Sequence, residues 1–111
     1  MNLFKYPKDD AKYSWTRHVV GKMQYYRLAE STVKRIIRSP KRVEKGVAEG
    51  TIACMKNPSS SKKKKEELWV MYQQRGKKKH IITAWRYPGV SPVREAIPIP
   101  EDILRELEEL V

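Results

Sequence analysis

Apolar residues in the first third of the chain recur at helical spacing. Ser14 has the side chain of an N-cap residue, and the apolar stripe around it predicts a helix from Ser14 to about Tyr25. The stripe, which we expect to face the core, consists of Trp15, Val19, Met23 and Tyr26. A second helix is predicted from about Glu30 to Arg38, where a Ser-Pro dipeptide stops it. The chain is therefore expected to start with a helical hairpin.

Beyond Lys41 the apolar period shortens to two, as expected of strands that are half covered by helices. The segments with this pattern are Thr51–Lys56, Glu67–Gln73 and His80–Tyr87, and a short strand at Arg42–Glu44 precedes them. Because hairpin turns join such strands, we predict an antiparallel meander of three to four strands with the helices on one face. The fold class is α+β.

The C-terminal segment combines a proline-rich connector with an acidic helix. The connector, "VSPVREAIPIP", is predicted to run extended over the surface. The apolar stripe of the helix consists of Ile103, Leu104, Leu107 and Leu110. Such a helix must dock on its own domain or on a second copy of the chain, which makes a homodimer through this helix a candidate assembly. We divide the chain into an N-terminal tail at 1–13, an α+β domain at 14–90, and the connector with its helix at 91–111.

The net charge of +11 is the strongest single feature of the composition. The last eleven residues, Glu101–Val111, contain five acidic residues and one arginine, a net charge of −4, so residues 1–100 carry +15. A domain this basic attracts polyanions at low salt, and nucleic acid is the first partner to consider. The acidic helix is a candidate cover for part of the basic surface.

Several classes of protein are disfavoured by the composition. Hydrophobic residues make up 40% and charged residues 33%, and no apolar run approaches the roughly 20 residues of a membrane-spanning helix. The N-terminal segment mixes Lys and Asp without the apolar stretch of a signal peptide, so we expect a cytoplasmic protein without a membrane partner. With one cysteine and two histidines, neither an internal disulfide nor a metal site is expected, and no cofactor is predicted.

The first predicted helix carries candidate catalytic residues. His18, Lys22 and Tyr25 fall together on one flank of its apolar stripe, at the border between core and solvent. The positive charge of Lys22 favours the neutral form of His18, as a general base requires, and Lys22 could itself neutralise a phosphate. The alternative is structural, since a border histidine also caps the edge of a core and hydrogen-bonds to a nearby backbone group.

Arg86, near the end of the last predicted strand, is the third catalytic candidate. Strict alternation places His80, Ile82, Ala84 and Arg86 on one face of the sheet, and the opposite face looks like core. On an open face the planar guanidinium of Arg86 would clamp a phosphate through two hydrogen bonds and stabilise a pentacovalent phosphorane. The alternative is a solvated arginine paired with Glu66, Glu67 or Glu95.

Two runs of lysine lie at opposite ends of the middle strand. One consists of Lys62, Lys63, Lys64 and Lys65, and the other of Lys77, Lys78 and Lys79, followed by His80. Such runs are either solvated loops or grips on successive phosphates of a long strand. Three tryptophans would add base stacking wherever they are exposed, although Trp15 is expected in the core.

Three stretches carry a resemblance to a known superfamily: "RHVVGKMQYYRL", "STVKRIIRSP" and "ELWVMYQ...HIITAWR". Within residues 15–87 they resemble a branch of the RelE-like ribonuclease toxin superfamily, which also gathers barnase-like, EndoU-like and colicin-type ribonucleases. The positions that fit its His-x4-Met helix and the elements after it are His18, Met23, Leu28, Pro40 and Ile81–Thr83. Lys22 stands where the branch has Arg, and Tyr26-Arg27 stands where it has Arg-Gly.

This resemblance implies RNA cleavage without a metal, in which a base takes the 2′-hydroxyl proton, the oxygen attacks the adjacent phosphate, and cations stabilise the phosphorane. It implies His18 or Arg86 at the scissile phosphate together with Lys22 and Arg27, and an acidic antitoxin segment as a protein partner. The leading hypothesis is an endoribonuclease of toxin–antitoxin type. The alternatives are a non-catalytic nucleic-acid-binding module and a partner-binding domain whose charge only aids solubility.

Overall fold

The first two helices form where apolar residues recur at every third or fourth position. The computed structural model describes residues 4–58, 66–92 and 96–110. In it the two helices are α1 (Arg17–Tyr26) and α2 (Glu30–Arg38). α1 begins after Thr16, whose Oγ1 accepts the Val19 N–H at 3.0 Å and caps the helix. The predicted bounds of the second helix are confirmed.

The residues before α1 form an edge strand. β1 (Tyr13–Trp15) pairs in parallel with the last strand, β5 (Lys78–Pro88). Asp9 fixes the entry of the chain into this strand, because its Oδ1 accepts the Trp15 N–H at 3.0 Å. The prediction that Ser14 caps the first helix is therefore wrong, since the backbone around Ser14 is bound to the sheet and the helix starts later.

The remaining strands form an antiparallel meander, as predicted. They are β2 (Arg42–Lys45), β3 (Thr51–Lys56), β4 (Glu66–Arg75) and β5. β1 extends the sheet beyond β5, which gives the order β1-β5-β4-β3-β2. The α+β class is confirmed. The sheet, however, has five strands and is mixed, whereas three to four antiparallel strands were predicted.

A bulge between β4 and β5 changes the phase of the side chains along β5. Met71 pairs with Thr83 and Tyr72 pairs with Ile81, so Ile82 is an extra residue with no partner in this register. Ile81 consequently packs on the side of α1 and α2, while Ile82 packs on the opposite side. The strict alternation predicted for this strand is wrong because the bulge interrupts it.

Helices cover both faces of the sheet. On one face, α1 and α2 enclose a core that includes Val19, Met23, Leu28, Val33, Ile36 and Val70. On the other face, α3 (Glu101–Leu110) buries Ile103 and Leu107 against Trp69 and Trp85. Part of the connector packs there too, through Ile97 and Ile99. The two N-terminal helices thus pack on one face as predicted, and the acidic helix, whose docking site was left open, docks on the other face of its own domain.

The tryptophans lie in these two cores. Trp69 and Trp85 stack with ring centroids 5.8 Å apart and are fully buried, and Trp15 is 9% exposed. The core position predicted for Trp15 is confirmed, and none of the three presents a ring on which a base could stack. Within the described ranges, none of the helices is long and apolar enough to cross a bilayer.

Candidate nucleic-acid interface

His18 and Lys22 lie where α1 meets the acidic helix α3. The Nζ atom of Lys22 is 2.7 Å from Asp102 Oδ2 and 3.4 Å from Glu106 Oε1. The Nδ1 atom of His18 contacts Glu106 Oε2. His18 and Lys22 are four residues apart in α1, and Asp102 and Glu106 are four residues apart in α3. Two successive turns of α3 therefore place two carboxylates against two successive turns of α1. The chain thus binds its own acidic groups at the site where the sequence predicts a phosphate.

Both ring nitrogens of His18 are engaged. A carboxylate only accepts hydrogen bonds, so Nδ1 donates to Glu106, and the Nε2 atom of the neutral ring accepts from the Thr83 hydroxyl at 2.8 Å. Burial is the largest influence on His18 and lowers its pKa, while the charge of Glu106 acts in the opposite direction. The net lowered pKa keeps the ring neutral near pH 7.

The pKa values of Lys22 and Asp102 reflect their contact. Burial acts to lower the pKa of Lys22, but its hydrogen bond to Asp102 and the charges of both carboxylates outweigh this and raise it. The same hydrogen bond holds the pKa of Asp102 below its ordinary value. The side chain of Lys22 is 16% exposed and that of Asp102 is 52% exposed, so the carboxylate forms the outer layer over the ammonium group.

Tyr25 completes the flank that was predicted on α1. Its ring is 75% exposed, and the Lys22 Nζ atom lies 5.8 Å from the ring centroid. His18 and Lys22 are partly buried beside it. The three residues therefore occupy the border between core and solvent, as their spacing predicts.

Arg86 lies on the side of the sheet that faces α1 and α2, beside the end of α1. Its Nε donates to the Tyr26 carbonyl at 2.6 Å and its Nη2 donates to the Arg27 carbonyl at 3.2 Å. Its Nη1 pairs with Glu66 at 3.2 Å, which is one of the alternatives weighed from the sequence. An open-face position for Arg86 is therefore wrong, because the bulge and the packed helices leave no such face there.

The structure brings His18 and Lys22 together and separates Arg86 from them. Thr83, the partner of His18, pairs with Met71, a core residue on the α3 side of the sheet. Arg86 pairs with Leu68, a core residue on the α1 and α2 side. A general base at His18 and a phosphate-binding guanidinium at Arg86 therefore do not face the same phosphate group.

Arg27 ends α1 in the left-handed conformation, with φ of 57°, and its side chain is exposed.

The lysine run at 62–65 lies outside the described residues. At the other end of β4, Lys77 is exposed, and Lys78 and Lys79 are partly exposed. His80 is held by a hydrogen bond between its Nδ1 and the Ser14 hydroxyl at 2.7 Å, and burial lowers its pKa.

Sequence reasoning missed the partners of the α1 pair. The acidic helix was expected to cover basic surface, but Asp102, Glu106 and Thr83 were not assigned to this pair, although the four-residue spacing of the two acidic residues matches that of His18 and Lys22. In the described part of the chain, no group of three or more His, Cys, Asp and Glu residues is placed to hold a metal ion. Comparisons with known protein families, characterised proteins and solved structures gave no match.

Proposed function

We propose that this chain binds RNA by its phosphate backbone, through the surface that contains His18 and Lys22. The observation that carries this proposal is the position of two carboxylates, those of Asp102 and Glu106, on these two side chains. A phosphodiester presents the same kind of anionic oxygen to a cation, and Lys is a common point-charge contact for phosphate. The charge of +15 on residues 1–100 favours the approach of such a polyanion.

RNA and α3 would compete for the Lys22 ammonium group and for the Nδ1–H donor of His18. The side chains of Asp102 and Glu106 are 52% and 42% exposed, so they can swing away while Ile103 and Leu107 keep the helix docked. Exposed ion pairs of this kind contribute only about 0.2–1 kcal/mol each. A strand of RNA that offers several phosphates can therefore displace them at low salt.

A second candidate function is metal-independent RNA cleavage, as the RelE-like resemblance implies. The observation that favours it is the contact between Glu106 and His18 Nδ1, because it fixes the tautomer whose Nε2 can accept a proton. In this reaction Nε2 takes the proton of the 2′-hydroxyl, the 2′-oxygen bonds to phosphorus, and the bond to the 5′-oxygen breaks. That leaving oxygen gains a proton, and a 2′,3′-cyclic phosphate remains.

Cleavage demands more movement than binding. Nε2 of His18 must leave the Thr83 hydroxyl, which is fully buried, before it can meet a 2′-hydroxyl. Lys22 would then stabilise the phosphorane, whereas Arg86 is bound to the Tyr26 and Arg27 carbonyls at the end of α1. An acidic antitoxin segment, the protein partner implied by the same resemblance, would bind the surface that α3 now occupies.

Labelled single-stranded RNA incubated with the purified chain in EDTA separates these proposals. Salt-dependent binding with intact RNA identifies a binding module, and cleavage that leaves 2′,3′-cyclic phosphate ends identifies the ribonuclease. No binding even at low salt would contradict both and leave a partner-binding domain. Sedimentation in the same buffers tests the proposed homodimer, for which Leu104 of α3, 42% exposed, offers an apolar contact.

A further inference from the structure

A second cationic site lies beside the last residues of α1, whereas His18 is near the start of that helix. It is a cavity of about 180 Å³ between the end of α1, α2 and the ends of β3 and β5. Four cationic residues line it: Arg27, Arg35, Lys56 and Arg86. They come from four different elements, so the fold itself, and not a run of lysines in the sequence, gathers these charges in one place.

The positive charge of this cavity is only partly balanced. Among the described residues, Glu66 is the one carboxylate in contact with the four cations, and it pairs with Arg86 at 3.2 Å. Lys56 donates to the Ser39 carbonyl at 3.1 Å, which satisfies a hydrogen bond but supplies no negative charge. Four like charges around one small cavity repel one another, and an anion bound between them removes that repulsion.

Two of the lining residues, Arg86 and Asn57, are also held in place before any anion arrives. Arginine has five N–H donors, and the contacts of Arg86 to Tyr26, Arg27 and Glu66 engage three of them, which leaves two. Asn57, another lining residue, is fixed by a hydrogen bond from its Nδ2 to the Glu66 carbonyl at 2.7 Å. Groups that are already oriented lose little side-chain entropy when they bind a ligand.

We propose that this cavity binds one phosphate group of an RNA strand, as a second contact that supplements the surface of His18 and Lys22. The inference rests on the proposed RNA-binding function and adds to it a specific phosphate position. The polar lining with its four cations suits an anionic phosphate group with some of its water better than an uncharged base. The site would raise affinity without selecting a sequence, because it contacts no base edge.

The test compares variants of the cavity with a matched variant on the same helix. Arg35→Gln removes a cavity charge from an exposed position on α2, and Arg38→Gln removes an equal charge from α2 outside the cavity. The ligand is a single-stranded RNA with hydroxyl groups at both ends, so that every phosphate in it is a diester. We expect Arg35→Gln to weaken binding about tenfold at low salt and to lower the salt slope by about 0.7, with a change of less than about twofold for Arg38→Gln.

The outcomes are distinguishable from those of the parent proposal. If the native chain binds RNA and Arg35→Gln behaves like Arg38→Gln, the cavity is not a phosphate site, while the proposed function stands. If the native chain binds no RNA, both fail together. Inorganic phosphate at matched ionic strength is the remaining probe. Equal shifts of the Thr32 and Asn57 amide resonances with phosphate and with RNA, but no loss of RNA affinity in Arg35→Gln, would identify a free-phosphate site and overturn the inference.

Discussion

Glu106 of α3 accepts a hydrogen bond from the Nδ1 atom of His18 in α1. The two residues belong to helices at opposite ends of the chain, and α1 and α3 meet beside β5. The only strongly acidic segment of a basic protein therefore lies on the histidine and lysine that the sequence marks as candidate contacts for phosphate. In our account these carboxylates keep the site occupied until a stronger polyanion displaces them.

Removal of one covering charge should strengthen RNA binding. Asp102→Asn keeps the size of the side chain but deletes the carboxylate 2.7 Å from Lys22, which leaves the ammonium group with only the longer contact to Glu106, at 3.4 Å, and more available to phosphate. We expect the affinity for single-stranded RNA to rise about two- to fivefold at low salt, since an exposed ion pair contributes about 0.2–1 kcal/mol. Fluorescence anisotropy over a series of salt concentrations measures the change.

Glu101→Gln is the matched control for this variant. It removes one negative charge from the same helix, but Glu101 is 85% exposed, and among the described residues its one ion pair is with Arg105, at 3.9 Å. If both variants raise the affinity equally, the effect comes from net charge, and a specific cover over Lys22 is refuted.

The ribonuclease hypothesis makes its own prediction at His18. His18→Ala should reduce cleavage about a hundredfold or more, which is the usual contribution of a general base, while binding stays nearly unchanged. His18→Asn keeps some size and polarity and controls for packing against Thr83. Normal cleavage by the Asn variant, together with a lower melting temperature of the Ala variant, would show that His18 is a structural residue at the border of the core.

Local patterns in the sequence predicted the elements that local interactions stabilise. The bounds of α2 and β3 follow from apolar spacing and from the proline after α2, and both are observed where they were expected. β1 was missed because its stability comes from pairing with a distant segment. Ser14 forms a hydrogen bond with His80, 66 positions away, and the sequence near Ser14 does not indicate that partner.

Only the part of the candidate site that lies on α1 was predictable from the sequence. The spacing of His18 and Lys22 indicated a flank of one helix, and the structure shows that flank. Which surface would meet it depended on the face of the sheet to which α3 docks, and the apolar stripe of a helix does not specify that face. Arg86 was misplaced for a similar reason, since the bulge at Ile82 changes the phase of β5 without a glycine or proline to mark it.

The stability of the fold should depend on pH through its two histidines. Burial lowers the pKa of both His18 and His80 in the folded state, so the unfolded chain binds protons more readily. The stability from these groups is fully present above the ordinary histidine pKa of 6.5 and is lost as the pH falls below that value toward the folded pKa values. Urea denaturation at pH 7.5, 6.5 and 5.5 should show a decreasing free energy of unfolding.

Asparagine at either position removes that titration. The double variant His18→Asn, His80→Asn should therefore lose most of the decrease between pH 7.5 and 5.5, whatever its stability at the higher pH. A decrease as steep as that of the native chain would mean that other groups cause it.

Arg27 allows backbone strain to be separated from charge. Its φ of 57° is unfavourable for a residue with a Cβ atom but not for glycine, which is the usual residue in this position after a helix. We expect Arg27→Gly to raise the free energy of unfolding by up to about 1 kcal/mol, after allowance for the greater freedom of glycine in the unfolded chain. The variant should nevertheless bind RNA more weakly, because a cationic side chain is lost.

Arg27→Ala is the companion variant, since it removes the same charge and retains the Cβ atom. It should lose as much RNA affinity as Arg27→Gly without the gain in stability, as measured by thermal unfolding and anisotropy in one buffer. A glycine variant that is less stable than the alanine variant would contradict the strain that we assign to Arg27.

The most direct test of our central claim is a double-mutant cycle between Lys22 and Asp102, read out as affinity for single-stranded RNA at low salt. If RNA replaces Asp102 on Lys22, then Lys22→Gln lowers the affinity, and Asp102→Asn raises it in the native background but not in the Lys22→Gln background. An equal gain from Asp102→Asn in both backgrounds, or unchanged binding by Lys22→Gln, would show that RNA does not bind at the surface that α3 covers.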